Sequence, residues 1–326
     1  MKKNIFLVLI VLICILFFPL QKVRAQGVDL GIYPPVFQIE TLPPSKVSSP
    51  FFIQNFTDQS VELQLVLKPF TVTENENGEV LLTEDTTKYP DPFFFKRVRV
   101  LDKGNPITSI TLSPQQKRDL TLEIDIPSNQ EKGEYYFSLV FTSNTQNPNN
   151  SSLSVASAGI ASNVILSVGP LGTTQGIIEE FSSSLFVTKG PLPFTVRVRN
   201  TSGHYITPKG DITIKNMFGQ TVGKVNLLPV NILSNTIRRI PDSLQSVDVE
   251  EAEYEKIKSV VEKNKFPVSV WPEKFLLGRY TATLTLALSE QGPLFRRQIV
   301  FYALPTEYIL GILTIIGVVI FIVARV

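Results

Sequence analysis

The chain has 326 residues, 43% of them hydrophobic, with one cysteine, one histidine and a formal net charge of +2. That length suggests two domains with short extras. The charge leaves no basic excess for nucleic acid, and one cysteine makes neither an internal disulfide nor a thiolate metal site.

Residues 1–25 have the form of a secretory signal. Lys2 and Lys3 precede an apolar run from Ile5 to Leu20, and Val23-Arg24-Ala25 follows with small or medium side chains at the −3 and −1 positions. Cleavage is expected after Ala25, an uncleaved N-terminal anchor being the rival reading. Cys14 lies inside the apolar run behind Ile13, so a lipoprotein signal does not fit and the exported chain would hold no cysteine. Losing Lys2, Lys3, Lys22 and Arg24 reduces the 31 basic residues to 27 against 29 acidic ones. The slight positive charge therefore belongs to the signal.

From Val28 to about Leu304 the sequence predicts strands and turns. Leu63, Leu65 and Leu67 alternate with Glu62, Gln64 and Lys68, and Leu120, Leu122, Ile124 and Ile126 alternate with Thr121, Glu123 and Asp125. The same period of two runs through Tyr135–Phe141, Phe194–Arg199 and Thr281–Leu288. This is the pattern of half-buried antiparallel strands, and the fold class is all-β.

The pattern repeats internally. Asn55 and Asn200 each close an apolar strand, and Gly133-Glu-Tyr135 and Gly278-Arg-Tyr280 each open a late one. Asn and Gly are 78 residues apart in both halves, and the halves are offset by 145. Two tandem β-sandwiches are expected, at 26–168 and 176–305, joined by a short linker at 169–175 rich in Gly, Pro and Thr. Tyr135 and Tyr280 sit where the tyrosine corner of immunoglobulin-like folds ties down a turn, so a structural role is expected for both.

Shorter stretches have bland readings. Thr73–Glu84 resembles a calcium loop in spacing but has no aspartate before its end, and Asn77-Gly78 reads as a hairpin turn. Phe93-Phe94-Phe95 is expected to cross between sheets and bury all three rings, the alternative being one ring exposed for a partner. Asn144–Ser152 is a polar loop, and His204 sits in a turn where backbone hydrogen bonds are its expected partners. Near 249–263 a helical insertion is expected, with Asp248 and Glu251 as a capping box and Val249, Ala252, Ile257, Val260 and Val261 as its apolar stripe.

Tyr308–Ala324 carries no charge and as a helix spans roughly 26 Å, enough to cross a bilayer core. Gly311 and Gly317 are six apart, so no Gly-x-x-x-Gly dimer face forms. Arg325 follows the span, which with an exported 26–307 makes a single-pass type I membrane protein. Only two residues separate Pro305 from the span, so the second sandwich is expected almost on the lipid surface.

The sequence holds no Gly-x-Ser-x-Gly elbow, His-Glu-x-x-His pair, Walker loop or dinucleotide fingerprint. No catalytic, cofactor or metal residue is singled out, and binding residues stay unknown.

The order of signal, two sandwiches and a closing helix resembles the WxL-interacting protein family. In the first half the resemblance rests on Leu112-Ser-Pro114, Leu120–Ile126, Pro127-Ser and Gly133-Glu-Tyr135-Tyr. In the second it rests on Val198-Arg-Asn200-Thr, Pro208-Lys-Gly210, Ile214-Lys-Asn216-Met-Phe-Gly219 and Gly278-Arg-Tyr280. It implies a first domain similar to a peptidoglycan-binding module and a second that engages partner proteins. The chain departs from that pattern in its helical insertion and its two-residue tail, Arg325-Val326. The expected function is non-catalytic binding at the cell envelope, to peptidoglycan or another surface protein, with no cofactor, nucleic acid or small-molecule substrate. A structural or chaperone-like assembly factor acting through a sheet edge is the alternative, and an envelope enzyme a third reading.

Overall fold

The structure is a computed structural model, and it describes residues 29–84, 91, 93–144, 157–246, 248–289 and 292–325. The expected signal at 1–25, and all but the first residue of the loop 144–152, lie outside the described residues.

The first half contains β1 (Leu30–Tyr33), β2 (Val36–Thr41), β3 (Ser45–Asn55), β4 (Val61–Val72), β5 (Val80–Leu82), β6 (Val98–Asp102), β7 (Asn105–Ile107), β8 (Ser109–Leu112), β9 (Lys117–Ile126), β10 (Gly133–Asn144) and β11 (Ser157–Val168). One sheet runs β1-β3-β9-β6-β7 and the other β2-β11-β10-β4-β5, with β8 also on β4. Leu120, Leu122, Ile124 and Ile126 from the first and Tyr135, Phe137, Leu139 and Phe141 from the second share one buried cluster. The alternation read in β9 and β10 is the side-chain period of these two inward faces.

The second half contains β12 (Gly176–Ser182), β13 (Phe186–Val187), β14 (Leu192–Asn200), β15 (Lys209–Asn216), β16 (Thr221–Asn226), β17 (Ile237–Arg239), β18 (Ser269–Trp271), β19 (Gly278–Ala287) and β20 (Leu294–Ala303). Its sheets are β12-β14-β17, with β18 also on β14, and β13-β20-β19-β15-β16. Phe194, Val196 and Val198 meet Leu284, Leu286 and Phe301 in a separate core.

Both halves use one pairing scheme. β1 runs antiparallel to β3 while β2 runs parallel to β11 in the other sheet. Likewise β12 runs antiparallel to β14 and β13 parallel to β20. The repeat extends to hydrogen bonds. Asn55 is fully buried, and its Nδ2 donates to the carbonyls of Gln59, Leu112 and Ser113 at 2.7–3.4 Å. Asn200, equally buried, donates to those of His204, Ile232 and Leu233 at 2.8–3.1 Å. In each case Oδ1 accepts from the backbone N–H two residues on, at Thr57 and Ser202. Each amide thus pins its own turn to a distant loop.

The two tyrosines act as expected of structural residues. Tyr135 Oη donates to the Glu131 carbonyl at 2.7 Å, and Tyr280 Oη accepts from Leu277 N at 3.1 Å.

Two expectations need correction. The helix expected across 249–263 is two pieces, α1 (Glu251–Tyr254) and α2 (Lys258–Lys263). Ile257 between them is fully buried and packs with Val268 and Val270. Sinking that side chain into the core breaks the helical run, and the helix start falls at Glu250 with no side-chain cap, so no Asp248 box forms. The three phenylalanines do not all go inside, because Phe94–Arg97 is a 3-10 turn and not a strand. Phe94 is buried against Tyr135 and Phe137, Phe95 half-buried, and Phe93 exposed under Lys96.

β20 leads into α3 (Thr306–Arg325), a helix long and apolar enough to cross a membrane, with none of its described side chains buried.

Replacing Asn200 by Ala removes the donor to the buried His204 carbonyl and one of those to Ile232 and Leu233, which keep Ile206 N and Thr236, so it should cost about 2 kcal/mol. A chemical-denaturation midpoint that falls without a change in slope is the expected reading.

Candidate binding surface

Two regions combine chemistry with access: the junction between the two halves and one edge of β11.

The junction is built from the β4–β5 hairpin, the ends of β10 and β11, and the 202–206 and 231–239 segments. The hairpin turn reads as expected, since Glu79 N donates to Asn77 Oδ1 and Gly78 takes a φ of +85°. Glu76 within this turn sits at the interface, its carboxylate committed to arginine. It accepts from Arg197 Nε at 2.7 Å and Nη2 at 2.5 Å, and the Glu76 carbonyl accepts from Arg239 N at 2.8 Å. Glu84, the other end of the calcium-like spacing, pairs with Lys68. Among the described residues no cluster of three or more His, Cys, Asp or Glu could hold a metal.

Beside this pair an apolar contact crosses between the halves. Phe70 and Ile165 from the first meet Tyr205 and Leu233 from the second, with Tyr136 stacked on Phe70 at 5.9 Å between centroids. Tyr205 Oη donates to Glu40 at 3.2 Å, Tyr136 Oη donates to Glu134 at 3.0 Å and accepts from Ser234 N at 3.2 Å. Grooves of about 260 and 330 Å³ flank the linker on either side and share Leu171 and His204. His204 is buried with its Nε2 3.2 Å from Thr174 Oγ1, so its ring partner is a side chain and not the expected backbone.

The acids here are shifted in opposite directions. The bidentate bonds from Arg197 hold Glu76 below the ordinary glutamate range, against some desolvation. Burial pushes Glu134 above it, against the hydrogen bond from Tyr136. Burial also raises Tyr136 and Tyr205 well above the ordinary phenol value, so both stay protonated donors. The junction is a locked interface whose polar groups are turned on one another.

The edge of β11 is open. β2 covers only Asn163–Val168 of that strand, because the chain before Pro34 is β1, which pairs in the opposite sheet, and Ser162 Oγ donates to Pro34 O at 2.6 Å where the two meet. Asn163 N donates outward to Pro35 O, so by the alternation of a strand Ala161 and Gly159 also aim their backbone groups outward. Among the described residues no strand pairs with that side of Gly159–Ser162. Gly159 and Ala161 are exposed, and nothing in Gly159-Ile-Ala-Ser162 is charged.

Edges of this kind are normally blunted by charge, proline or bulges. The other long partial edge, Leu294–Val300 of β20, carries Arg296, Arg297 and Gln298, all exposed. β12 carries a register shift and Glu179 and Glu180. β11 has no such device in the described part of its edge. The sequence reading missed it because the segment shows only small side chains, and an edge is defined by what fails to pair with it.

No protein-family model matches the sequence, and no curated protein does. Among solved structures, the class 5 fimbriae chaperone CfaA overlaps with a TM-score of 0.35 at 11% identity, over 83% of this chain and 98% of its own. The E. coli chaperone DraB gives 0.34 at 10% identity, over 83% and 96%. The Pseudomonas aeruginosa chaperone CupB2 gives 0.33 at 9%, over 81% and 97%. Overlaps this loose say nothing of what the present chain binds.

The junction acids set the pH dependence of stability. A carboxyl whose folded pKa is depressed stabilises above the unfolded value, near 4.3, and that stability is lost as pH falls through the folded value. Arg197→Ala should therefore cost about 2 kcal/mol at pH 7 and progressively less on acidification, read from denaturation midpoints across pH. Glu134 has the opposite sign, since a raised carboxyl loses stability as pH rises past its unfolded value. Glu134→Gln keeps an acceptor for Tyr136 and should raise the midpoint at pH 7 while leaving it unchanged at low pH.

Proposed function

We propose that this chain is a non-catalytic, single-pass type I membrane protein of two immunoglobulin-like sandwiches, and that it holds an extended segment of a partner protein by strand addition to β11. The observation that carries this reading is the open, uncharged edge at Gly159–Ser162. Outward N–H and C=O groups at Gly159 and Ala161 give main-chain affinity to any extended segment, as in strand-addition complexes generally. The small side chains of the edge itself add no bulk against such a segment. The role fits an envelope assembly or chaperone-like factor, with α3 as a plain tether. Affiliation to the WxL-interacting family is compatible with this, and its peptidoglycan arm is a separate outcome of the test.

Proline at 161 removes an outward N–H and leaves every bond to β10 in place, because Ala161 faces Val140 at a non-hydrogen-bonded position. With a photo-crosslinker at Ile160 in native membranes, Ala161→Pro should abolish a crosslinked protein adduct that Ala161→Thr retains. An adduct unaffected by the proline sinks strand addition. Co-sedimentation of the purified protein with cell wall, insensitive to the proline, would move the reading to glycan binding.

A further inference from the structure

The second half has two ends, and the strand register places them. Lys209 of β15 pairs with Ala287 of β19 at the junction end, where Ala287 and Leu288 line a groove with Gln38 and Glu40 of the first half. At the other end Asn216 pairs with Tyr280, and Gly278 with Ala303. α3 leaves from this second end, three residues beyond Ala303.

Exposed apolar side chains gather there. Phe218 is 76% exposed and Phe186 is 74%, and Met217, Phe275, Leu277 and Leu304 are each at least half exposed. They come from four separate segments: the β15–β16 turn, β13, the approach to β19, and the exit of β20. They are level with one another. A side chain on Gly278 would meet Met217 Sδ at 3.3 Å, and Phe186 stacks on Tyr302 at 5.6 Å. The collar is also fixed to the helix. Phe275 packs edge-on against Tyr308 at 5.4 Å, and Lys189 Nζ bonds Glu307 at 2.7 Å, so the first turn of α3 is held from two sides of the same end. Nothing in the core needs these residues outside. A soluble domain would expose this many large apolar groups together only at a contact surface.

We infer that this collar is immersed in the lipid interface around α3, with Phe186, Met217, Phe218 and Phe275 among the headgroups and upper acyl chains. The inference rests on reading α3 as a membrane span. That span starts at Tyr308, five residues past Ala303, so the loop tips at the level of Ala303 lie close to the hydrocarbon boundary. Aromatic side chains favour that depth, and apolar loops bind there in proportion to the area they bury. The occupant is the bilayer because the chain itself brings it to this end of the molecule. A collar so placed sets the tilt of the second half on the membrane and keeps α3 from acting as a free swivel.

The test uses the full chain reconstituted in phosphatidylcholine vesicles, with lipids brominated either near the headgroup or deep in the acyl chain. The native Trp271 is buried and gives the baseline. Phe218→Trp and Phe186→Trp should each emit to the blue of a solvent-exposed indole and lose fluorescence to the shallow bromines. Phe93→Trp, exposed on the first half, should lose it only to aqueous iodide. Val318→Trp reports the span separately by its loss to the deep bromines. If the Val318→Trp variant responds and both collar variants answer only to iodide, the span stands and the collar inference is overturned. If the Val318→Trp variant also fails to respond, the reading of α3 falls with it.

Discussion

The pairing of Glu76 with Arg197 and Arg239 governs what the rest of this molecule is able to do. It joins the tip of a hairpin in the first half to two strands of the second, and it is reinforced by the contact of Phe70 and Ile165 with Tyr205 and Leu233. Together these contacts keep the linker at 169–175 from acting as a free pivot. With them, the register of β11 at one end and the emergence of α3 at the other belong to one body. The hairpin geometry is tightly specified. Gly78 at φ +85° lies against the Arg238 guanidinium, where a side chain would collide with it. Here glycine serves both the turn and the close approach of the two halves.

Much of the fold was legible because one physical signal runs through it. Half-buried strands alternate, and β9, β10, β14 and β19 do so over much of their length, so their inward faces could be read directly. The internal repeat was legible for a different reason. Asn55 and Asn200 recur at one offset because each answers the same problem, a turn that must be tied to carbonyls of a distant segment. Polar residues that close apolar strands at matched positions are therefore informative even in a single sequence.

What was illegible involves competition between local and tertiary preference. Val249–Lys263 has helical spacing, yet the burial of Ile257 against Val268 and Val270 outweighs helix continuity. Apolar transfer of one isoleucine is on the order of 2 kcal/mol, more than the propensity of one helical turn. Phe93–Phe95 went astray because a 3-10 turn sends successive side chains in three directions, whereas a strand sends them in two. The junction was invisible altogether. Glu76, Arg197, Glu134 and Tyr136 are ordinary surface residues of strands and turns until two separate cores are brought together. The β11 edge was hidden by its own plainness.

The openness of that edge follows from how the first strand is divided. In both halves the chain begins in one sheet and finishes parallel to the last strand of the other, so the last strand is covered only over the length of the second piece. In the first half that piece is β2, six residues long, and in the second it is β13, only two. The longer uncovered stretch, on β20, is the one that carries two arginines. The shorter, on β11, carries none. The charges thus lie on the longer uncovered stretch, in the half that also carries α3. With α3 read as a membrane span, as proposed above, an unwanted strand at that half would find its neighbours at high local concentration in two dimensions. The distal edge, up to about 50 Å out if β19 and the covered part of β11 run end to end at ~3.3 Å per residue, is left free. That asymmetry accords with the strand addition proposed for β11.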